Sequence, residues 1–304
     1  MNAPGTIQTI NSPLRPHGAL TPYFFVMPAM VILGVFVFWA FIQVTYLSFT
    51  RVHPFTPDST LIGGAEWIGL DNYRSVLGGS RFWWCLANSF LYLLVTPAIM
   101  LVSLSAAMAV TSGQRGLSWT RLLLFLPVIT PTVVAALAWR ALFREDGGLL
   151  NTTLGHVGIG PIPWLTGYPW VLVTAMTVTL WKGFGYYMMI FVAALLSVPR
   201  ELEEAATIDG AGRFGVFRHV TLPSIRPVLI LVAMISSISA LKVFDELFVT
   251  VPKAPITSKT AVPLIFETAF EDGSFGAACA TGVALFVIIL TLSIINLKLT
   301  GDSK

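Results

Sequence analysis

The sequence predicts an all-α polytopic membrane protein with six transmembrane helices. Three observations carry this reading. Only 11% of the 304 residues are charged, and the mean hydropathy is +0.79. Five stretches, 16–50, 82–114, 122–139, 147–181 and 273–297, contain no Asp, Glu, Lys or Arg. A soluble globular chain is about 25% charged. With less than half of that, this chain cannot cover a water-facing surface with ions, which excludes an ordinary soluble enzyme and a disordered chain. A net charge of +3 provides no basic stripe for nucleic acid. Cys85 and Cys279 are too few for a disulfide scaffold.

A helix needs about 20 apolar residues to cross a bilayer, and the apolar runs place spans at 23–49, 86–110, 120–142, 170–196, 225–250 and 276–298. The first follows a leader, residues 1–22, charged only at Arg15. Its apolar run is too long for a signal-peptide core and reads as a span. The second carries Ser103, Ser105, Ala106, Ala107 and Ala109, small residues suited to close helix packing. Pro127 and Pro131 should kink the third. The sixth, through Val283–Ile295, is apolar all round. Polar connections fall at 51–85, 143–169, 197–224 and 251–275, and residues 299–304 form a tail. The membrane-spanning body is thus 23–298, with no separate soluble domain.

Six spans put both termini on one side. Lys and Arg divide nine to seven in favour of the side holding the termini, so the positive-inside rule makes the termini cytoplasmic. Trp67, Trp83, Trp84, Trp164 and Trp170 then gather near the outer interface as an aromatic belt.

Catalytic signatures are missing from the sequence. There is no Gly-Lys dipeptide and hence no P-loop, no HExxH, no Gly-x-Ser-x-Gly, and the four histidines are scattered. The chain therefore reads as non-catalytic, leaving transport, signalling or scaffolding.

The 197–226 segment holds eight of the 33 charged residues, namely Arg200, Glu201, Glu203, Glu204, Asp209, Arg213, Arg218 and Arg226. Pro199 suits a first helical turn, and the acids that follow match the helix dipole. Ala205 and Ala206 are strong, small helix formers, and Gly210 supplies a stop. A second short helix over about Arg213–Val220 places Phe214 and Phe217 on one face, and Leu222-Pro223 ends it. The expectation is a helix–Gly–helix lying at the membrane surface, with Ala and Gly permitting close approach of another protein.

Glu204-Ala205-Ala206, Gly210 four residues on, and Val220-x-Leu222-Pro223 after the nine residues Ala211–His219 resemble the EAA signature of binding-protein-dependent ABC importer permeases. Asp209-Gly210-Ala211 fits the same pattern. Further segments resemble the carbohydrate-uptake (MalF/UgpA-type) branch: Pro22–Pro28, Gly69–Tyr73, Arg81-Phe-Trp, Trp139-Arg140, Gly147–Asn151, Val243-Phe-Asp245 and Gly276-Ala-Ala. One stretch departs from it: Thr250-Val-Pro-Lys-Ala-Pro255 stands where many relatives carry Thr-x-Gly-Gly-Pro.

The resemblance implies a type I ABC importer permease fold. It implies ATPase coupling through Glu203, Glu204, Ala205, Ala206, Asp209, Gly210, Ala211, Arg213, Leu222 and Pro223. It implies as partners a second permease subunit, two copies of a cytoplasmic ABC ATPase that bind the ATP and Mg, and an extracytoplasmic solute-binding protein, with no cofactor in this chain. The solute it implies is a carbohydrate or a related sugar, polyol or glycerophosphate.

Two sets of charges lie within or at the ends of spans. Lys182 sits about 12 residues into the fourth, where an unpaired Lys costs at least ~2.5–3.5 kcal/mol. Trp181, Phe184, Tyr186 and Tyr187 flank it in sequence. Either these residues line a sugar pathway, or Lys182 is paired with a carbonyl or a carboxylate. Lys242, Asp245 and Glu246 are spaced to share a helical face; they form either a self-neutralised cluster or part of a gate. An ion-coupled secondary transporter would show inverted repeats, which the sequence does not, and a scaffold would need no pathway.

Overall fold

The structure is a computed structural model that describes residues 21–52, 65–111, 117–252 and 254–301. Most of the expected leader, the C-terminal Asp302–Lys304 and Lys253 of the departing loop lie outside these. The chain divides into two compact units at Tyr46–Leu47.

In the first unit, α1 (Thr21–Leu33) runs through a π-helical stretch, Gly34–Trp39, into α2 (Ala40–Leu47). Together they make a continuous apolar helix, Tyr23–Leu47, of 25 residues. That is long enough to cross a bilayer.

The second unit opens with a two-stranded antiparallel ribbon. Its strands β1 (Thr50–Arg51) and β2 (Glu66–Trp67) pair Thr50 with Trp67. Then come α3 (Asp71–Gly78), α4 (Ser80–Tyr92), α5 (Val95–Thr111), α6 (Leu117–Ile129), α7 (Thr132–Leu142), α8 (Leu149–His156) and α9 (Trp170–Leu196). They are followed by α10 (Arg200–Ile208), α11 (Arg213–Val216), a π-helical turn Phe217–Thr221, α12 (Leu222–Ser224) and α13 (Arg226–Leu241). The chain ends with α14 (Asp245–Thr250), α15 (Ala261–Phe270) and α16 (Phe275–Gly301).

The main packing seam joins α5 to α9. The small residues expected to pack do so on one face: Ser103 and Ala107 are buried, whereas Ser105 and Ala109 on the other face are exposed. Ser103 Oγ donates to the Phe184 carbonyl at 2.9 Å, a contact that needs close backbones. Around this seam Tyr92, Met188, Phe191 and Val232 form the larger core. Phe82, Cys85 and Leu86 of α4, Ala261 and Leu264 of α15 and Leu285 of α16 form a second.

The spans are less regular than the sequence reading expects. Three described helices are long and apolar enough to cross a membrane: Tyr23–Leu47, Ser80–Thr111 and Trp170–Leu196. Two bent pairs bring the number to five, and the apolar run Phe275–Thr291 within α16 falls short of that length. The expected kink in the third span is a 93° bend between Trp119–Ile129 and Thr132–Leu142. Pro131, in extended conformation, sits at the break and cannot donate to the preceding turn. The expected fifth span, 225–250, breaks at Lys242–Phe244, so α13 ends at Leu241. The expected polar connection 251–275 contains the apolar helix α15, whose Ala261, Pro263, Leu264, Glu267 and Ala269 are buried.

Two glycines permit backbone contact. A Cβ on Gly276, at the start of α16, would lie 2.1 Å from the Thr50 carbonyl oxygen. A Cβ on Gly185 would lie 2.4 Å from the Leu124 carbonyl oxygen, where α9 crosses α6. Gly185→Ala is therefore expected to overpack that crossing, at about 1–3 kcal/mol, and to lower the thermal aggregation midpoint of the purified protein. Gly155→Ala, whose Cβ meets nothing within 4 Å, should not lower it. An unchanged midpoint for Gly185→Ala would show that α6 and α9 are not in backbone contact there.

Candidate functional site

The 197–224 segment hangs from the C-terminal end of α9. Ser197 Oγ donates to the Ala194 carbonyl at 2.7 Å, and the extended Pro199 turns the chain into α10. Glu201 and Glu203 occupy its first turn, as the helix dipole favours. The end of α10 satisfies its own backbone. The Ala211 N–H donates to the Ala206 carbonyl at 2.9 Å and the Gly210 N–H to the Thr207 carbonyl at 3.1 Å. This is the paired closure that requires a left-handed residue, and Gly210 supplies it at φ +87°. The helix–Gly–helix expectation holds to this point.

Beyond Gly212 the second helix is not regular. Only Arg213–Val216 is α-helical, and Phe217–Thr221 widens into a π-helical turn before α12. Phe214 is 77% exposed while Phe217 is half-buried, so the two do not share one environment. Glu204, Ala205, Asp209, Gly210, Arg213 and Pro223 are exposed, and Ala206, Ala211 and Leu222 are half-buried. Ile208, at the tip, is 86% exposed.

Glu203 behaves differently from Glu204. It is half-buried, and its Oε1 accepts the Thr221 hydroxyl at 3.0 Å. No sequence signal marks that pair. Behind the hairpin lies a cleft of about 1140 Å³ bordered by Met108 and Thr111 of α5, Leu195 of α9, and Glu203, Arg213 and Thr221.

The candidate pathway residues are only partly brought together. Lys182 Nζ donates to Thr132 Oγ1 on α7, and Trp181 packs edge-on against Trp139 with centroids 5.8 Å apart. Tyr187 turns into the main core, whereas Tyr186 is exposed. Residues one and five positions apart point different ways on a helix, so the aromatics flanking Lys182 in sequence do not form one cradle. Lys242 follows the end of α13, whereas Asp245 and Glu246 open α14. Because the helix breaks between them, the expected single face does not exist.

At the opposite end of α9 the connections are tightly held. Asn151 Nδ2 donates to the Glu145 and Ile162 carbonyls, and its Oδ1 accepts the Ile162 N–H and the Trp164 Nε1–H, the last at 2.8 Å. Glu145 Oε1 accepts from the Leu165 and Thr166 N–H groups and the Thr166 hydroxyl. Glu267, buried on α15, takes Arg81 at 3.1 Å and also Lys259, while Arg81 reaches Asp272 at 2.8 Å. The sequence reading missed this cluster. Its signal was an acid on the apolar face of a short helix. Among the described residues, no three His, Cys, Asp or Glu side chains gather to hold a metal.

Comparison with known proteins agrees with this architecture. Residues 99–299 match the family model described as "Binding-protein-dependent transport system inner membrane component". The chain is 28% identical over 291 residues to the trehalose/maltose transport system permease protein MalF of Thermococcus litoralis, covering 95% of this chain and 96% of that one. It is 31% identical over 291 residues to the arabinooligosaccharides transport system permease protein AraP of Halalkalibacterium halodurans, covering 94% and 89%. Its fold is similar to a chain in the crystal structure of a bacterial ABC transporter involved in the import of the acidic polysaccharide alginate, with a TM-score of 0.79 at 19% identity, covering 93% and 96%. With the matched residues running from α5 through the 197–224 segment to α16, the chain belongs to the family of binding-protein-dependent transport system inner membrane components.

Proposed function

We propose that this chain is a transmembrane permease subunit of an ATP-driven ABC importer for a sugar or oligosaccharide. In this reading residues 23–298 are the permease body, both termini are cytoplasmic, and 197–224 is the loop that docks on the ATPase. The observation that carries it is the exposed α10–α11 hairpin. It presents Glu204, Ile208 and Phe214 at the end of the bundle, inside the part of the chain that matches the family. An exposed apolar tip beside charged and small residues suits a protein partner.

The proposed mechanism is alternating access. An extracytoplasmic binding protein delivers solute, two ATPase copies bind ATP and Mg and close, and the hairpin moves with them. A second permease subunit completes the pathway. This chain contributes docking and shape rather than chemistry. The named solutes of the similar proteins, trehalose/maltose and arabinooligosaccharides, support the sugar class. Lys182, held by Thr132 of α7, is the polar group best placed to meet a solute within the bundle.

Two outcomes are expected. Glu204→Lys should reduce the ATPase retained by the purified complex about tenfold, equivalent to about 1.4 kcal/mol. Full retention with normal sugar uptake would contradict the docking assignment. Gly210→Val should also release the ATPase, because a β-branched residue at φ +87° is strained by at least about 1–2 kcal/mol. Gly210→Asn, which tolerates the left-handed region, should retain it. Equal behaviour of the two variants would show that hairpin geometry does not matter.

A further inference from the structure

Glu203 and Glu204 are adjacent and serve different surfaces. Glu204 is exposed, whereas Glu203 reaches back 18 residues along the chain to Thr221. Thr221 is 8% exposed and closes the π-helical turn Phe217–Thr221. Four residues later comes Ile225, 1% exposed, where Arg213–Ser224 and Arg226–Leu241 meet at 68°.

The turn at Asp209–Gly212 also joins the two arms of the hairpin. Gly210 there has a left-handed backbone and Gly212 an extended one. A hairpin held at one glycine-containing turn folds about that turn when it is pushed. A second attachment near the opposite end of α10 removes that freedom, and Glu203–Thr221 is such an attachment. Its acceptor is a carboxylate, which makes the bond stronger than a neutral one.

We infer that the Glu203–Thr221 hydrogen bond transmits displacement of the α10–α11 hairpin to α13. The inference rests on the coupling reading above and specifies how that coupling leaves the loop. Glu203 and Thr221 are positioning residues: neither needs to touch the ATPase or the solute. The π-helical turn beside Thr221 fits this role, since such turns recur at functional sites. The buried Ile225 fixes the bend to the bundle, so motion arriving at Thr221 passes into α13 rather than into a free loop.

The test uses the complete importer in lipid nanodiscs on a cysteine-free background, with spin labels at Tyr168→Cys and Ile238→Cys. These report the end of the bundle away from the hairpin. ATP plus vanadate should shift the label distance in the parent and in Thr221→Ser, which keeps the hydroxyl. In Thr221→Val, which keeps the shape and loses the donor, the shift should be lost while ATP hydrolysis and ATPase content stay at parent level. Glu203→Ala should lose it too, and the double variant should be no worse than either single one. A full shift in Thr221→Val overturns the inference. So does loss of the ATPase from that variant, which would make the bond part of assembly. If the parent complex binds no ATPase, or shows no shift, the coupling reading itself fails.

Discussion

Ser103 and Ala107 on α5 let that helix approach α9 until a side-chain hydroxyl meets the Phe184 backbone carbonyl at 2.9 Å. Without a hydrophobic driving force between helices in lipid, close contact of small residues is what holds such a seam together. Helices α4, α6, α7, α13 and α14 of the second unit pack against it. The 197–224 segment hangs from the C-terminal end of α9, and the Asn151–Glu145 network secures the connection entering its N-terminal end. Because α9 runs unbroken for 27 residues, the two ends form one rigid strut.

Against that strut the other helices are bent. The 93° break at Thr130–Pro131 and the 68° break at Ile225 each occur beside prolines, which cannot complete the helical ladder. In a medium without water, freed backbone groups need protein partners. These breaks are therefore places where neighbouring elements must converge, and Lys182 of α9 meets Thr132 of α7 just past the first. A straight strut flanked by bent helices gives the bundle elements that can change angle without losing the central seam.

Much of this could be read from the residues. The absence of charge named the solvent, Pro131 foretold a bend, and Ser103 and Ala107 foretold a packing face. Gly210 foretold the helix stop, because only a residue free to adopt positive φ closes α10 in that way. What escaped was every relation between distant residues. Nothing near Glu203 in sequence points to Thr221, and nothing near Arg81 points to Glu267. The face expected for Lys242, Asp245 and Glu246 assumed one continuous helix, whereas α13 stops at Leu241. The aromatics beside Lys182 seemed to gather only because they are close in sequence. Helix α15 was hidden because a ten-residue helix is too short to register as a span.

The two ends of α9 thus carry different designs. One is closed by internal hydrogen bonds, and the other leaves apolar and charged side chains facing outward at Ile208, Phe214 and Glu204. On the proposed reading the outward-facing end meets the ATPase. Site-directed cross-linking tests this most directly, with single cysteines at Phe214 and, as the opposite-end control, at Val157, both largely exposed. In membranes containing the complete importer, Phe214→Cys should cross-link to the ATPase with an efficiency that changes on adding ATP, and Val157→Cys should not cross-link to it at all. Cross-linking from Val157→Cys, or its absence from Phe214→Cys in an assembled and active complex, would contradict the account.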